Sequence, residues 1–320
     1  MRKATKTWLI IAASLVVVGL IMFAVVMSEY KWDFTKLSTG KYETNIYEIS
    51  EEFSDISMNT DTADIIFALS NDGKCRVECY EEEKAKHFVE IQEDTLVIKM
   101  IDEKSWYDYI GINFGSPKIT VYLPKVEYTS LFINESTGDI QIPKNFKFDS
   151  VDISLSTGDV NFFASASELI KIKTSTGNIC VESACAGELD LSASTGGITV
   201  SNVICGGDVN IKVSTGKTNL TDIKCKSLTS SGDTGDISLN HVIAAEKFLI
   251  KRSTGDVKFD GSDATEIFIE TNTGDVMGTF LSEKIFFVST DTGSVDVPKS
   301  ITGGRCEITT DTGDIKLDIQ

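Results

Sequence analysis

The dipeptide Thr-Gly recurs ten times along the second part of the chain at almost constant spacing. Successive glycines of this dipeptide lie 19 or 20 residues apart. A fixed repeat of this length is typical of solenoids, in which each repeat packs only on its two neighbours. The ten glycines, which we predict to be structural turn residues, are Gly138, Gly158, Gly177, Gly196, Gly216, Gly235, Gly255, Gly274, Gly293 and Gly313.

Apolar residues occupy the same four positions around these glycines, seven and five residues before and two and four residues after, with Thr218, Ser230 and Gly278 as exceptions. Ile153 and Val160 are examples on either side of Gly158. Alternation by two is the period of a β-strand, so these residues share one face of the chain. Each repeat therefore predicts one coil, made of a strand, a Thr-Gly-Asp turn and a second strand. The Thr of the turn keeps the same parity, which predicts an inward column of stacked threonines.

The expected fold class is all-β, a parallel β-solenoid of 19–20-residue coils preceded by a single N-terminal transmembrane helix. The rival architecture is a set of antiparallel hairpins in a sandwich or propeller. Such folds need turn signals every 8–12 residues. This sequence has one strong turn in every 19–20 residues, which favours the solenoid.

Residues 8–27 contain no charged side chain. A helix of this length covers about 30 Å, the thickness of the hydrocarbon core of a membrane. Three cationic residues precede it, and Glu29 and Asp33 follow it. The positive-inside rule then predicts a single-pass protein of the cell membrane with its N-terminus in the cytoplasm and the solenoid outside. The alternative is a cleaved signal peptide, but its apolar region is usually shorter and no good cleavage site follows.

The sequence predicts five segments. Residues 51–130 are expected to be a degenerate part of the solenoid, because Ile56 to Phe67 fit the apolar columns with Ala63 in place of the turn glycine. The segments are a basic cytoplasmic tail at 1–7, the transmembrane helix at 8–27, a linker at 28–50, the degenerate N-terminal part of the solenoid at 51–130 with a loop at 102–116, and the regular ten-coil solenoid at 131–320.

The chain is strongly acidic, with 30 Lys and Arg against 48 Asp and Glu among 320 residues, a net charge of −18. A surface of this sign repels phosphate backbones, which excludes nucleic acid as an expected partner. With two histidines in the whole chain, the sequence also offers little material for histidine-based catalysis.

Three features together resemble a known family: the N-terminal anchor, the strand ITVYLP at 119–124, and LFINESTGDIQI at 131–142 followed by serial TGD turns. They are similar to the bacterial "putative adhesin" β-solenoid family of unknown function, which includes LiaG-like membrane-anchored proteins. The resemblance covers about residues 45–320. It implies a membrane-attached solenoid outside the cytoplasm, with roles in adhesion or cell-envelope stress. It implies no catalytic residue, so none is carried over.

The expected function is non-enzymatic: a surface binding, adhesin-like module of the cell envelope. The coils contain almost no insertions, so the array offers no cleft in which an active site could be built. An alternative is a regulatory or scaffolding protein of the envelope stress response that binds a neighbouring membrane protein. A more remote alternative is an enzyme acting on polysaccharides, with its site near the loop at 102–116.

Exposed aromatic residues in that loop are the candidate contact surface. Aromatic rings provide stacking platforms for sugars and anchors for protein partners. A glycan or an envelope protein is therefore the expected ligand, and the alternative is that the loop covers the end of the rod as a cap. The candidate residues are Trp106, Tyr107, Tyr109 and Phe114.

The C-terminal coil gives a second expectation about partners. Ile315, Leu317 and Ile319 still alternate inward at the end of the chain, and no amphipathic capping helix follows. A solenoid that ends in this way leaves a row of strand edges open, which invites pairing with another chain. The sequence thus predicts self-association, or a protein partner, at an uncapped C-terminal coil.

Acidic residues follow most of the turn glycines and would stack as a column of like charges. Weak Ca²⁺ binding would relieve the repulsion, but non-acidic residues interrupt the column, and the alternative is solvated turn residues. No other cofactor is expected. The acidic residues of this column are Asp139, Asp159, Asp236, Asp256, Asp275 and Asp314.

The seven cysteines look structural. Cys185, Cys205 and Cys225 lie 20 residues apart and are expected to stack at one corner, with a disulfide between adjacent coils left open. Cys180 is predicted to be the most exposed thiol. Cys75 and Cys79 are four residues apart on a strand, too far for a disulfide, and only His87 is near them. No metal site is therefore predicted.

Overall fold

The computed structural model of the chain describes residues 3–33, 40–106 and 115–320. Within these residues, one helix, α1 (Lys3–Glu29), precedes 24 strands. The stretch Thr5–Glu29 is long and apolar enough to span a membrane, a property that signal sequences share.

The strands of the N-terminal part are β1 (Tyr42–Ile49), β2 (Asp55–Asn59), β3 (Asp64–Leu69), β4 (Cys75–Glu82), β5 (Ala85–Gln92), β6 (Thr95–Asp102) and β7 (Lys118–Leu123). The array continues with β8 (Glu127–Thr137), β9 (Ile140–Ile142), β10 (Lys147–Thr157), β11 (Val160–Phe162), β12 (Ser165–Thr176), β13 (Ile179–Glu182), β14 (Cys185–Thr195), β15 (Ile198–Cys205) and β16 (Val209–Thr215). It ends with β17 (Thr218–Thr234), β18 (Ile237–Thr254), β19 (Val257–Thr273), β20 (Val276–Phe280), β21 (Lys284–Thr292), β22 (Val295–Asp296), β23 (Gly304–Thr312) and β24 (Ile315–Ile319).

Successive coils pair in parallel at the register of the repeat. Val151 of β10 lies opposite Leu131 of β8 on one side and Ile170 of β12 on the other. The residues of the four apolar columns line the interior, and side chains such as Ile153 and Phe162 have no exposed surface. The parallel β-solenoid of about ten turns is confirmed.

Glycine is required at the turns for two reasons, the positive φ angle and the close approach of the neighbouring coil. Their φ angles run from +131° to +154°, a region that side chains with a Cβ rarely adopt. A Cβ built on Gly196 would lie 1.9 Å from the carbonyl oxygen of Gly177 in the neighbouring coil. Each coil therefore stacks on the next through bare backbone at this corner.

The expectation of an inward threonine column is wrong. The Thr before each turn glycine is exposed in all ten coils. The ladder shows why: Leu155 pairs with Thr174 and Thr157 pairs with Thr176, but the residues between them are unpaired. The alternation of the strand is broken at the residue just before the Thr. The last inward residue before the turn is therefore two residues before the Thr. This inward column contains Glu135, Leu155, Thr174, Ala193, Val213, Gly232, Arg252, Thr271, Thr290 and Thr310.

A second regular corner lies six residues after the turn glycine in five consecutive coils. Its φ angles are +52° to +55°, in the left-handed region. The residue type changes from coil to coil, so no repeated letter marks this corner in the sequence. The five residues are Ser183, Asn202, Asp222, His241 and Gly261.

Antiparallel strands form the N-terminal end of the stack. The coil of β2 and β3 pairs with β8 and β9 on one side and with β6 and β7 on the other. Beyond it, β5 pairs antiparallel with β6, and β4 pairs antiparallel with both β7 and β1. The predicted linker at 28–50 is thus partly wrong, since residues 42–49 form β1. This strand pairs with β4 and not with a coil of the array. Its sequence therefore does not repeat the four apolar positions by which the coils were recognised.

The coil order at the other end differs from the chain order. Strands β23 and β24 lie between the coil of β19 and β20 and the coil of β21 and β22. The outermost coil is therefore residues 284–296, and the C-terminal strands occupy an inner layer. The predicted open edge at the C-terminal coil is wrong in its position, because both edges of that coil are paired.

Candidate functional site

The outermost coil leaves the end of the solenoid open. Strands β21 and β22 pair on one side only within the described part of the chain. Apolar side chains at this end are exposed: Phe287 by 55%, Val295 by 45% and Ile301 by 94%. In the neighbouring coil the residue opposite Val295, Ile315, has no exposed surface. Val295, in the last layer of the core, is thus only partly covered, whereas Phe287 lies in the outward column of its strand.

The neighbouring strand β23 places one cationic side chain, that of Arg305, beside this apolar surface. Phe286, Val288 and Val297 are partly buried and pack against the core from the end. The guanidinium of Arg305 lies 5.4 Å from the ring centre of Phe287, a cation–π distance. An unpaired strand edge beside exposed apolar side chains suits the addition of an extended segment from a partner.

The predicted contact loop is only partly described. Trp106 is 75% exposed, as a contact residue needs to be. Tyr107, Tyr109 and Phe114 lie outside the described residues. Their role as a contact surface stays a prediction.

The acidic residues after the turn glycines form a hydrogen-bond ladder with the main chain. The backbone N–H of Asp159 donates to Asp139 Oδ1 at 2.8 Å, and that of Asp314 donates to Asp275 Oδ1 at 2.8 Å. A hydrogen bond of this kind, from the N–H of Asp275, lowers the pKa of Asp256. The backbone donors therefore offset the repulsion between stacked carboxylates. Calcium binding by this column stays a prediction.

All seven cysteines are free thiols. Cys185 is exposed, whereas Cys205 and Cys225 are buried. The three do not share one column, because Cys185 lies opposite Ile204 and it is Ala186 that lies opposite Cys205. Cys180 is half-buried, so the expectation that it would be the most exposed thiol is wrong. Within the short strand β13 it lies in the ladder between Asn161 and Thr199.

We expect a thiol reagent to modify Cys185 first in the folded protein. Burial raises the pKa of Cys75, Cys79, Cys225 and Cys306 to about 12, so these thiols are both covered and protonated at neutral pH. Mass spectrometry after brief maleimide treatment should find one modified site, and Cys185→Ser should remove it. A faster reaction at Cys180 would contradict this assignment.

A buried polar cluster lies under the antiparallel strands of the N-terminal end. Glu81 Oε2 accepts hydrogen bonds from the backbone N–H of His87 at 2.6 Å and from its Nδ1 at 2.7 Å. Glu81 Oε1 accepts one from Asn45 Nδ2 at 2.7 Å. Burial raises the pKa of Glu81, but the bonds from His87 and Asn45 outweigh it, and the pKa is lowered overall.

Cys79 lies two residues before Glu81 on the same face of β4 and is also fully buried. Sequence reasoning considered Cys75, Cys79 and His87 but did not include Glu81. The sequence does give one sign of Glu81: it lies two residues after Cys79 on a strand, so both side chains lie on the same face. The hairpin that places His87 beside them was not evident from the sequence.

Comparisons with solved structures place the fold. A "putative adhesin" from Parabacteroides distasonis has 14% sequence identity and a TM-score of 0.53, over 75% of this chain and 98% of that one. A "putative adhesin" from Bacteroides fragilis has 20% identity and a TM-score of 0.36, over 76% and 98%. A "putative lipid binding protein" from Parabacteroides distasonis has 15% identity and a TM-score of 0.35, over 75% and 98%. The first supports a shared fold at this identity, and the other two carry no argument.

No curated protein matches the sequence. A family model, Toastrack DUF4097, matches residues 53–212 and 205–320. These two matches together span β2 to β24. The chain therefore belongs to the Toastrack DUF4097 family.

Proposed function

We propose that this protein is a non-enzymatic, membrane-anchored binding module of adhesin type, whose solenoid stands outside the cell and binds a partner with its open end. The observation that carries the proposal is the difference between the two ends of the stack. At the N-terminal end the strands turn antiparallel and β1 pairs with β4. The other end is a parallel coil that is paired on its inner side only within the described residues, and its core residue Val295 is 45% exposed.

The position of the anchor along the chain supports this arrangement. Helix α1 ends at Glu29 and β1 begins at Tyr42, so the chain enters the solenoid at its antiparallel end. The open coil of residues 284–296 is at the opposite end of the stack. A module tethered at one end and open at the other is suited to contacts away from its own membrane. The adhesin descriptions of solved relatives agree with such a role.

The chemistry of the open end favours a protein partner that contributes an extended strand. An unpaired edge supplies main-chain hydrogen bonds, and side-chain positions such as Phe287 and Val295 supply apolar contacts. A second copy of the chain and another envelope protein are both partners of this kind. Binding of a second copy would make the module homophilic, and binding of a neighbouring membrane protein would make it a scaffold.

Photo-crosslinking from the intact membrane tests the binding end. A photoreactive residue at position 287 should give one discrete product, either a dimer of the chain or a conjugate with one envelope protein. The matched control is position 132, because Phe132 is 43% exposed but lies on β8, away from the open end. Phe287→Lys should also lower cell attachment at least about tenfold, about 1.4 kcal/mol, and Phe132→Lys should not.

The same products from both positions, or attachment that Phe287→Lys leaves unchanged, would reject the open end as the binding surface. The proposed orientation has a separate test in Cys185. A membrane-impermeant maleimide should modify Cys185 in intact cells. Modification only after the cells are lysed would place the solenoid in the cytoplasm and would reject the extracytoplasmic proposal.

A further inference from the structure

The buried cluster of Cys79, Glu81 and His87 has the composition and geometry of a metal site. One ligand atom from each residue, a thiol sulfur, a carboxylate oxygen and a ring nitrogen, lies within 4.8 Å of the other two. A cation with bonds of about 2.0–2.3 Å to such atoms holds them about 3.3–3.8 Å apart. Small side-chain movements would therefore bring the three ligands to bonding distance.

We propose that Cys79, Glu81 and His87 bind one late first-row divalent metal ion, of which Zn²⁺ is the representative. The three side chains come from two strands of one hairpin: Cys79 and Glu81 from β4 and His87 from β5. All three are at most 3% exposed, so a bound ion would be shielded from bulk water.

The histidine shares the site with the carboxylate through Nδ1. His87 Nδ1 lies 2.7 Å from Glu81 Oε2, so a metal ion bound to both atoms takes the place of the hydrogen bond that joins them. Nδ1 then carries the lone pair that binds the ion, and Nε2 carries the ring proton. Nε2 is buried and has no hydrogen-bond partner within the described residues.

Charge balance favours a divalent ion over a monovalent one. Cys79 as a thiolate and Glu81 as a carboxylate bring two negative charges, and neutral His87 brings none. A divalent cation makes the buried site neutral, which avoids the large cost of an uncompensated charge in the interior. On binding, the Cys79 thiol releases its proton to solvent and the sulfur takes the metal in its place.

The donor set selects the class of metal. Thiolate and imidazole ligands suit Zn²⁺ and its late first-row neighbours, whereas Ca²⁺ and Mg²⁺ prefer sites made of oxygen atoms. His87 also lines a cavity of about 300 Å³, together with Asp61, Met100 and Pro117. Three protein ligands leave a fourth coordination position, which a water molecule from this cavity would fill on the side of His87.

Cobalt titration of the full-length protein tests the site. Co²⁺ should bind with a stoichiometry of one and give the thiolate-to-cobalt charge-transfer absorption of a sulfur ligand. Cys79→Ser should abolish this absorption. The matched control is Cys75→Ser, since Cys75 is buried on the same strand four residues away and lies outside the cluster. In competition experiments, Zn²⁺ affinity should fall at least about tenfold in Cys79→Ser and in His87→Gln.

The proposal is overturned if the wild-type protein gives no charge-transfer absorption, or if Cys79→Ser retains it. X-ray absorption of the zinc-loaded wild-type protein gives an answer that depends on no variant. It should show one sulfur at about 2.3 Å with nitrogen and oxygen ligands, and a spectrum without sulfur would refute the site.

Discussion

Gly196→Ala should destabilise the solenoid by more than about 4 kcal/mol, the range reached by the most damaging single substitutions. Gly196 has a φ of +138°, and a Cβ there would lie 1.9 Å from the carbonyl oxygen of Gly177. Neither coil can move away without breaking the hydrogen bond from the Gly177 N–H to the Thr195 carbonyl. Denaturant titration of the full-length protein, followed by circular dichroism, measures the loss.

The adjacent glycine is the matched control for this substitution. Gly197 does not have a left-handed backbone, and a Cβ there would lie 3.3 Å from the nearest backbone oxygen, that of Lys217. Gly197→Ala should therefore change the free energy of unfolding by less than about 1 kcal/mol. Equal losses for the two variants would mean that backbone conformation and close stacking do not distinguish these positions.

Glu135→Gln should stabilise the protein at alkaline pH and have little effect at pH 5. Glu135 occupies the inward column and is 2% exposed. Burial, the largest cause, raises its pKa from 4.5 to about 8, against hydrogen bonds from the backbone of Ala63 and Thr137. Between these two pKa values the folded state holds a proton that the unfolded state has lost, so stability falls as pH rises from about 4.5 to about 8.

The glutamine variant lacks this titration. The difference in unfolding free energy between variant and wild type should therefore grow with pH, to at most about 5 kcal/mol above pH 8. Glu127→Gln is the control, because Glu127 lies on the same strand but is exposed and pairs with Lys147 on the surface. Such surface pairs contribute about 0–1 kcal/mol. A wild-type stability that stays constant relative to Glu135→Gln from pH 5 to pH 9 would contradict this prediction.

The regular part of the fold could be predicted from the sequence because each coil repeats the same pattern of residues. A turn glycine and four apolar positions recur together, and only parallel stacking buries all four columns at once. The threonine column was mispredicted because the alternation of inward and outward residues was assumed to continue up to the Thr of the turn. The sequence does not show that the ladder skips the residue before Thr157.

The order of the last coils could not be predicted from the repeat. The two final repeats have similar inward residues, such as Val288 beside Ile308 and Thr290 beside Thr310, so either order buries the same columns. Gly303 and Gly304 allow the observed order. A Cβ on Gly303 would lie 1.8 Å from the oxygen of Glu283, and one on Gly304 would lie 1.9 Å from that of Thr265. Where the chain enters the layer between these two earlier segments, a side chain at either glycine would collide with their backbone.

The buried cluster of Cys79, Glu81 and His87 could not be predicted from the sequence for a different reason. Its histidine is eight residues from the cysteine in sequence, and it is brought to the carboxylate by a hairpin that pairs through Glu82 and Ala85. The antiparallel strands of this end carry no repeat, so no column alignment relates their residues. The cluster depends on a tertiary arrangement that only coordinates reveal.

The position of β23 and β24 changes how the open end can come apart. In a stacked array the terminal repeat is held on one side only, and it is normally also a chain end, from which fraying begins. Here the outermost coil is joined at both of its ends to inner coils, through residues 281–283 and 297–303. It cannot unravel from a free terminus. A force applied to this coil by a bound partner is therefore carried by two covalent connections to the inner coils.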